Sequence, residues 1–130
     1  NSAYIMALSE MYRNGVGKLK DARQADYWLK KSAEAGYNVA QYEHALKLEK
    51  SSKLSDQKLA FEYMNRSTEN VMESGNNYYK LAQYYENGFG TKKDIEKASQ
   101  KYQLAIDGGI ARAREDLIRI GIPEPANSPQ

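Results

Sequence analysis

Apolar side chains recur along this chain three and four positions apart, in segments of about ten to twenty residues, and no stretch alternates strictly as a strand would. Glycine is the main breaker, because the first proline is Pro123. Gly36, Gly75, Gly109 and Gly121 each follow a helix-period segment, where a residue free to turn left-handed satisfies the last carbonyls. Gly15/Gly17 and Gly88/Gly90 fall instead within Asn14-Gly15-Val16-Gly17 and Asn87-Gly88-Phe89-Gly90, which read as tight turns between helices. Starts are marked as well. Asp21 precedes Gln24 by three residues and Asn38 precedes Gln41 by three, as in a capping box, with Asp94 and Ser55 or Asp56 as further starts. The pattern predicts seven helices, over about 2–13, 21–35, 38–50, 55–74, 77–87, 94–107 and 110–120.

The segments repeat. Residues 8–36 laid over 81–109 match without a gap at Leu8/Leu81, Tyr12/Tyr85, Asn14/Asn87, Gly15/Gly88, Gly17/Gly90, Ala25/Ala98 and Gly36/Gly109. A helical hairpin of this length cannot bury its apolar stripe alone, so consecutive hairpins are expected to stack. After Gly109, Ala113 and Leu117 open another first helix that stops at Gly121-Ile122-Pro123, which reads as a terminal cap over the last apolar face. Residues 123–130, rich in Pro, Ser and Asn, are expected to form a frayed tail.

The string Tyr85-Glu86-Asn87-Gly88-Phe89-Gly90, followed by Asp94, Lys97-Ala98 and a closing Gly109, resembles the Sel-like repeat (SLR) family, a relative of the tetratricopeptide repeats. Leu8, Tyr12, Gly15, Gly17, Asp21, Ala25, Trp28, Lys31, Ala33, Glu34 and Gly36 meet the same pattern. The middle repeat departs from it. Ala40, Asp56, Ala60 and Tyr63 hold their family places, but His44 stands where Leu is usual, Leu48 where Tyr is usual, and Lys50-Ser51-Ser52-Lys53-Leu54 replaces the Gly-x-Gly turn. The resemblance implies an all-α fold: an α-solenoid of about three antiparallel helix-turn-helix repeats with a C-terminal capping helix, in a right-handed superhelix. A single solenoid is expected over 1–122, with repeat one at 2–37, an irregular repeat two at 38–75, repeat three at 76–109 and the capping helix at 110–121.

Composition fits closely approaching helices. Leu, Ile, Val and Phe make up only 22 of 130 residues, and 15 Ala, 11 Tyr and a Trp supply buried surface instead. Charge is nearly balanced at +2, which disfavours electrostatic capture of nucleic acid or a lipid surface. No apolar run approaches the roughly 18 residues of a membrane span, so membrane insertion is not expected. The chain begins at Asn1 without a signal-peptide pattern, and a bacterial periplasmic and a cytoplasmic setting both stay open.

The residue types also bound the chemistry. There is no cysteine, hence no disulfide, thiolate metal site or cysteine nucleophile, and His44 is the only imidazole. Neither glycine turn has the Gly-Lys-Ser/Thr ending or the strand context of a phosphate loop. Glu69 and Glu73, one helical turn apart, and the run Lys47, Lys50, Lys53, Lys58 read as solvated faces. No catalytic, cofactor or metal-binding residue is assigned, and no cofactor is expected.

What remains is a surface. Removing the packing positions from the three first helices leaves Met6, Glu10 and Arg13; Tyr42, Leu46 and Glu49; and Tyr79, Gln83 and Glu86, each set on one helix face. Tyr, Met and Arg are enriched at interface cores, which makes Tyr42 and Tyr79 the preferred anchors, although such rings also pack between repeats. Tyr12, Tyr63, Tyr85 and Trp28 are expected in the core. Tyr27, Tyr37, Tyr78 and Tyr84 are left over, and the cluster near the third hairpin could widen an interface. The resemblance implies a non-enzymatic module, a monomer when free, that binds a protein or peptide partner on its concave face. Its role would be that of an adaptor or a dedicated inhibitor such as a toxin-neutralising immunity protein. A hydrolase akin to cysteine-rich SLR proteins is disfavoured by the absence of Cys, and a self-assembling scaffold is the other alternative.

Overall fold

The computed structural model describes residues 1–17, 19–69 and 74–121. The chain falls into two compact units, Asn1–Val71 and Met72–Gln130. The first unit contains α1 (Ser2–Asn14), α2 (Ala22–Glu34), α3 (Asn38–Leu48) and α4 (Leu54–Ser67), and the second contains α5 (Gly75–Asn87), α6 (Ile95–Asp107) and α7 (Ala113–Arg119). The described residues include no strand. The tail expected over 123–130 lies outside the described residues, as does Glu73.

Local chemistry explains the boundaries. Asp21 Oδ1 accepts from the N–H groups of Arg23 and Gln24, and Asp94 Oδ1 accepts from that of Lys97, so both predicted caps form. Asn38 does not cap α3. Tyr37 holds the cap position with no side-chain bond, and the Gln41 amide instead donates to the Ala33 carbonyl at 3.4 Å, tying α3 to α2. The two Asn-Gly-x-Gly turns have the same backbone course: Gly15 and Gly88 have φ of 77° and 69°, and Gly17 and Gly90 have 72° and 70°. In both, the carbonyl of the last tyrosine of the first helix accepts from the next cap, Asp21 N–H to Tyr12 O at 3.0 Å and Asp94 N–H to Tyr85 O at 2.8 Å.

The middle hairpin turns by other means. Ser51 Oγ accepts from the Lys53 N–H at 3.1 Å and donates to Asp56 Oδ2 at 2.7 Å, so a hydroxyl and a carboxylate do what two left-handed glycines do elsewhere. Neither Ser55 nor Asp56 is the N-cap of α4, a position held by Lys53. The helix predicted to reach residue 74 ends at Ser67, with Thr68 and Glu69 in a turn.

Gly75 is not a helix stop. It begins α5, because a Cβ there would stand 2.8 Å from the Gly108 carbonyl oxygen and 2.9 Å from Ile110 Cγ1. Gly108 is constrained in return, since its own Cβ would lie 2.8 Å from Gly75 Cα. Two facing glycines thus let the start of α5 meet the end of α6 backbone to backbone.

Each unit has the core of small and aromatic residues that composition implied. In the first, Ala25, Ala33, Ala40, Ala45 and Ala60 are fully or almost fully buried around Leu29 and Met64. Ser9 Oγ donates to the Ala25 carbonyl at 2.6 Å, closing the α1–α2 contact with a satisfied hydroxyl. In the second, Ala82, Ala98, Ala105 and Ala113 surround Leu81 and Tyr102. Tyr63 and Tyr85 are buried as expected, whereas Tyr12 and Trp28 are only half-buried. Tyr84 is buried too, its ring 4.9 Å from that of Phe89, so this member of the aromatic cluster is core and not interface.

Candidate functional site

The nine stripe residues take three different places. Met6 is 5% exposed and shares the buried face of α1 with Ser9, so the structure turns it inward, away from any partner. Glu10 is exposed one turn further on. Arg13 leans across to α2, its Nη2 3.3 Å from Asp26 Oδ1. Tyr42 and Leu46 of α3 and Glu49 at its C-cap are half-buried, which is the part of the stripe that most nearly keeps its expected character.

In the second unit α7 lies on the corresponding positions of α5. The Tyr79 hydroxyl donates to Asp116 Oδ2 at 2.7 Å, and the Arg112 guanidinium sits 4.6 Å over the Tyr79 ring. Arg119 grips Glu86 with two bonds, Nη1 to Oε2 at 2.6 Å and Nη2 to Oε1 at 2.9 Å, and also reaches Asp116 Oδ1 at 2.9 Å. From beneath, the buried Tyr102 hydroxyl donates to Glu86 Oε1 at 2.6 Å. Arg119 above all, with the Tyr102 hydroxyl, holds the Glu86 carboxyl below its usual range, against burial, which acts the other way. Tyr79 and Glu86 therefore have intramolecular partners on the capping helix; Gln83, between them, is half-buried.

The first unit has a second feature that the pattern of first helices did not single out. An open groove of about 390 Å³ runs between α2 and α3. One wall is Arg23, Tyr27 and Lys30, spaced i, i+4 and i+7 along α2 and hence on one face; the other includes Lys47 and Leu48 of α3. The sequence signal for it was that spacing, on a second helix. Asp26, between the walls, accepts Lys47 Nζ at 3.1 Å as well as Arg13. Burial works to raise the Asp26 pKa, but Lys47 and Arg13 outweigh it and keep the carboxyl below its ordinary value.

His44 also borders the groove. It is 9% exposed and packs edge-on against the Tyr63 ring at 5.0 Å. Burial first, and then the Lys30 charge, lowers its pKa against the opposing pull of Glu34 and Asp26. The histidine in the leucine position is thus held as a neutral, mostly apolar ring, and Asp26 is saturated by cations. No group of three or more His, Cys, Asp and Glu side chains that could hold a metal occurs among the described residues.

A family model for the Sel1 repeat matches residues 1–37, 38–70 and 78–110. Among solved structures, the Sel1 repeat protein from Oxalobacter formigenes is 29% identical with a TM-score of 0.74, over 90% of this chain and 48% of that one. The c5321 protein, a protective antigen present in uropathogenic Escherichia coli strains displaying an SLR fold, is 27% identical with a TM-score of 0.71, over 92% of this chain and 26% of its own. The chain spans about half the length of the first and about a quarter of the second. No curated protein matches the sequence. Sel1 repeats generally mediate protein–protein interactions and are typically non-enzymatic. With all-helical hairpins of the α-solenoid class and three matched repeats covering most of its length, the chain belongs to the Sel1 repeat family.

Proposed function

We propose that this chain is a non-enzymatic protein-binding module, an adaptor or a dedicated inhibitor of one partner, and that it is a monomer when free. A toxin-neutralising immunity protein is one form such an inhibitor would take. The observation that carries the reading is the half-exposed face of Tyr42, Leu46 and Glu49 on α3, a tyrosine and a leucine one turn apart on a rigid helix within a family of protein-binding repeats. Glu10 of the same unit extends the set, and the buried Met6 drops out of it. Gln83 is a separate candidate on the second unit, whose Tyr79 and Glu86 are engaged by α7.

The test is affinity capture from the native source with the wild-type chain beside Tyr42→Ala/Leu46→Ala, partners being identified by mass spectrometry. One stoichiometric partner lost with the double variant, at unchanged helicity by circular dichroism, is the expected result. A partner retained in full by the variant would refute the α3 face. Hydrolysis of a generic ester or amide substrate that a single substitution abolishes would refute the non-enzymatic reading, and a mass that grows with concentration in light scattering would favour the scaffold.

A further inference from the structure

The groove between α2 and α3 contains more cationic groups than its own carboxylates use. Asp26 is already saturated by Arg13 and Lys47, and Asp56 accepts the Ser51 hydroxyl. Arg23 and Lys30 are exposed and have no ion-pair partner among the described residues. Seven residues apart on one helix, they stand about 10 Å from each other along its axis. Between them is Tyr27, 51% exposed, its ring braced edge-on by Trp28 at 5.0 Å and carrying Lys31 Nζ over one face at 5.4 Å.

That spacing matches an extended peptide. In a polyproline II segment three residues complete one turn and advance about 9 Å, so side chains at i and i+3 share one edge of the peptide at nearly the distance between the two cations. An apolar residue between them, on the next edge, would meet Tyr27, with Leu48 on the opposite wall. The whole chain carries only +2, which weighs against a phosphate backbone in the same place, since a polyanion needs many cations where a short acidic segment needs two.

We propose that this groove holds an extended acidic segment of the protein partner, with two carboxylate side chains three residues apart, one on Arg23 and one on Lys30, and an apolar residue between them on the Tyr27 ring. This rests on the partner-binding reading above and names a second contact for it, away from the α3 face. Arg23 is the stronger half of the clamp, because a guanidinium can take a carboxylate with two parallel bonds.

Fluorescence anisotropy of labelled peptides on the full chain tests it. The probe is an eight-residue peptide centred on Glu-Leu-Ala-Glu; its counterpart carries Gln-Leu-Ala-Gln. The glutamate peptide should bind at least about tenfold more tightly, and Arg23→Gln/Lys30→Gln should remove that advantage at an unchanged melting temperature. Lys92→Gln/Lys93→Gln, the same charge change on exposed lysines of the second unit, should leave it intact. Equal affinity for the two peptides, wild-type binding by the Arg23/Lys30 variant, equal loss with Lys92/Lys93, competition by free glutamate as effective as by the peptide, or tighter binding of a single-stranded oligonucleotide would each overturn it. A natural partner lost with Tyr42→Ala/Leu46→Ala but indifferent to Arg23→Gln/Lys30→Gln would sink the groove and spare the broader reading. Peptide binding by the groove beside a natural partner indifferent to the α3 variant would sink the α3 face and spare the groove.

Discussion

The burial of His44 leads to an expected sensitivity of its helix contact to mild acid. Its pKa is below the ordinary imidazole value because the folded protein removes it from water and sets Lys30 nearby. The groups facing it are Lys30, Glu34 and Asp26 from α2, Lys47 on its own helix and Tyr63 from α4, and the carboxylates only partly offset the effect. In the unfolded chain the imidazole takes up its proton at the ordinary pKa, so between the folded and unfolded values the unfolded state binds more protons. Stability then rises with pH across that window, being fully present above about 6.5 and lost as pH falls through it. His44→Leu, which restores the residue usual in the family, should shrink the drop in melting temperature between about pH 7.5 and 5.5. An unchanged drop would show that His44 is not the group responsible.

At the scale of elements, α7 is held to α5 by a network in which burial and not charge count decides the cost. Arg119 is 54% exposed, and an ion pair so open to water contributes about 1 kcal/mol or less. Glu86 is 15% exposed and is the acceptor for the fully buried Tyr102 hydroxyl. Glu86→Ala should therefore cost about 2 kcal/mol by stranding that hydroxyl, and Arg119→Ala distinctly less, as read by urea denaturation. Equal losses would mean that the guanidinium, and not the tyrosine, sets the value of the carboxylate. Sequence made the hairpins themselves legible, because periodicity, aspartate caps and Gly-x-Gly turns are local signals and all three agreed at Asp21, Asp94 and both glycine pairs. It misread Gly75, whose role is set by Gly108, a residue thirty-three positions away that no local pattern reveals. It also placed Met6 and Tyr84 on surfaces, since a helix face seen in isolation does not tell which neighbour will cover it. The pairing of Tyr79 with Asp116 and of Glu86 with Arg119 was hidden for the same reason, although the cap that makes those contacts was itself foreseen.

For the molecule as a whole, near-neutrality matters more than any single charge. With 19 basic and 17 acidic residues, little net field is available to draw in a partner from a distance, so an acidic segment would be held chiefly by local pairing. Raising salt from about 0.05 to 0.5 M should weaken the glutamate peptide severalfold while shifting the melting temperature little, because the ion pairs within the fold are largely solvent-exposed. A salt-independent peptide affinity would point to apolar contact with Tyr27 as the main attraction. The two glycine turns bear on a different question, that of rearrangement. Residues 12–21 and 85–94 have the same length, the same two left-handed glycines and the same tyrosine-carbonyl closure, so either joint is a spare for the other. The loop of one hairpin should therefore replace that of the other without a new connection having to be designed. The Ser51–Asp56 joint has no counterpart, which makes the middle hairpin the fixed piece around which such shuffling would have to work.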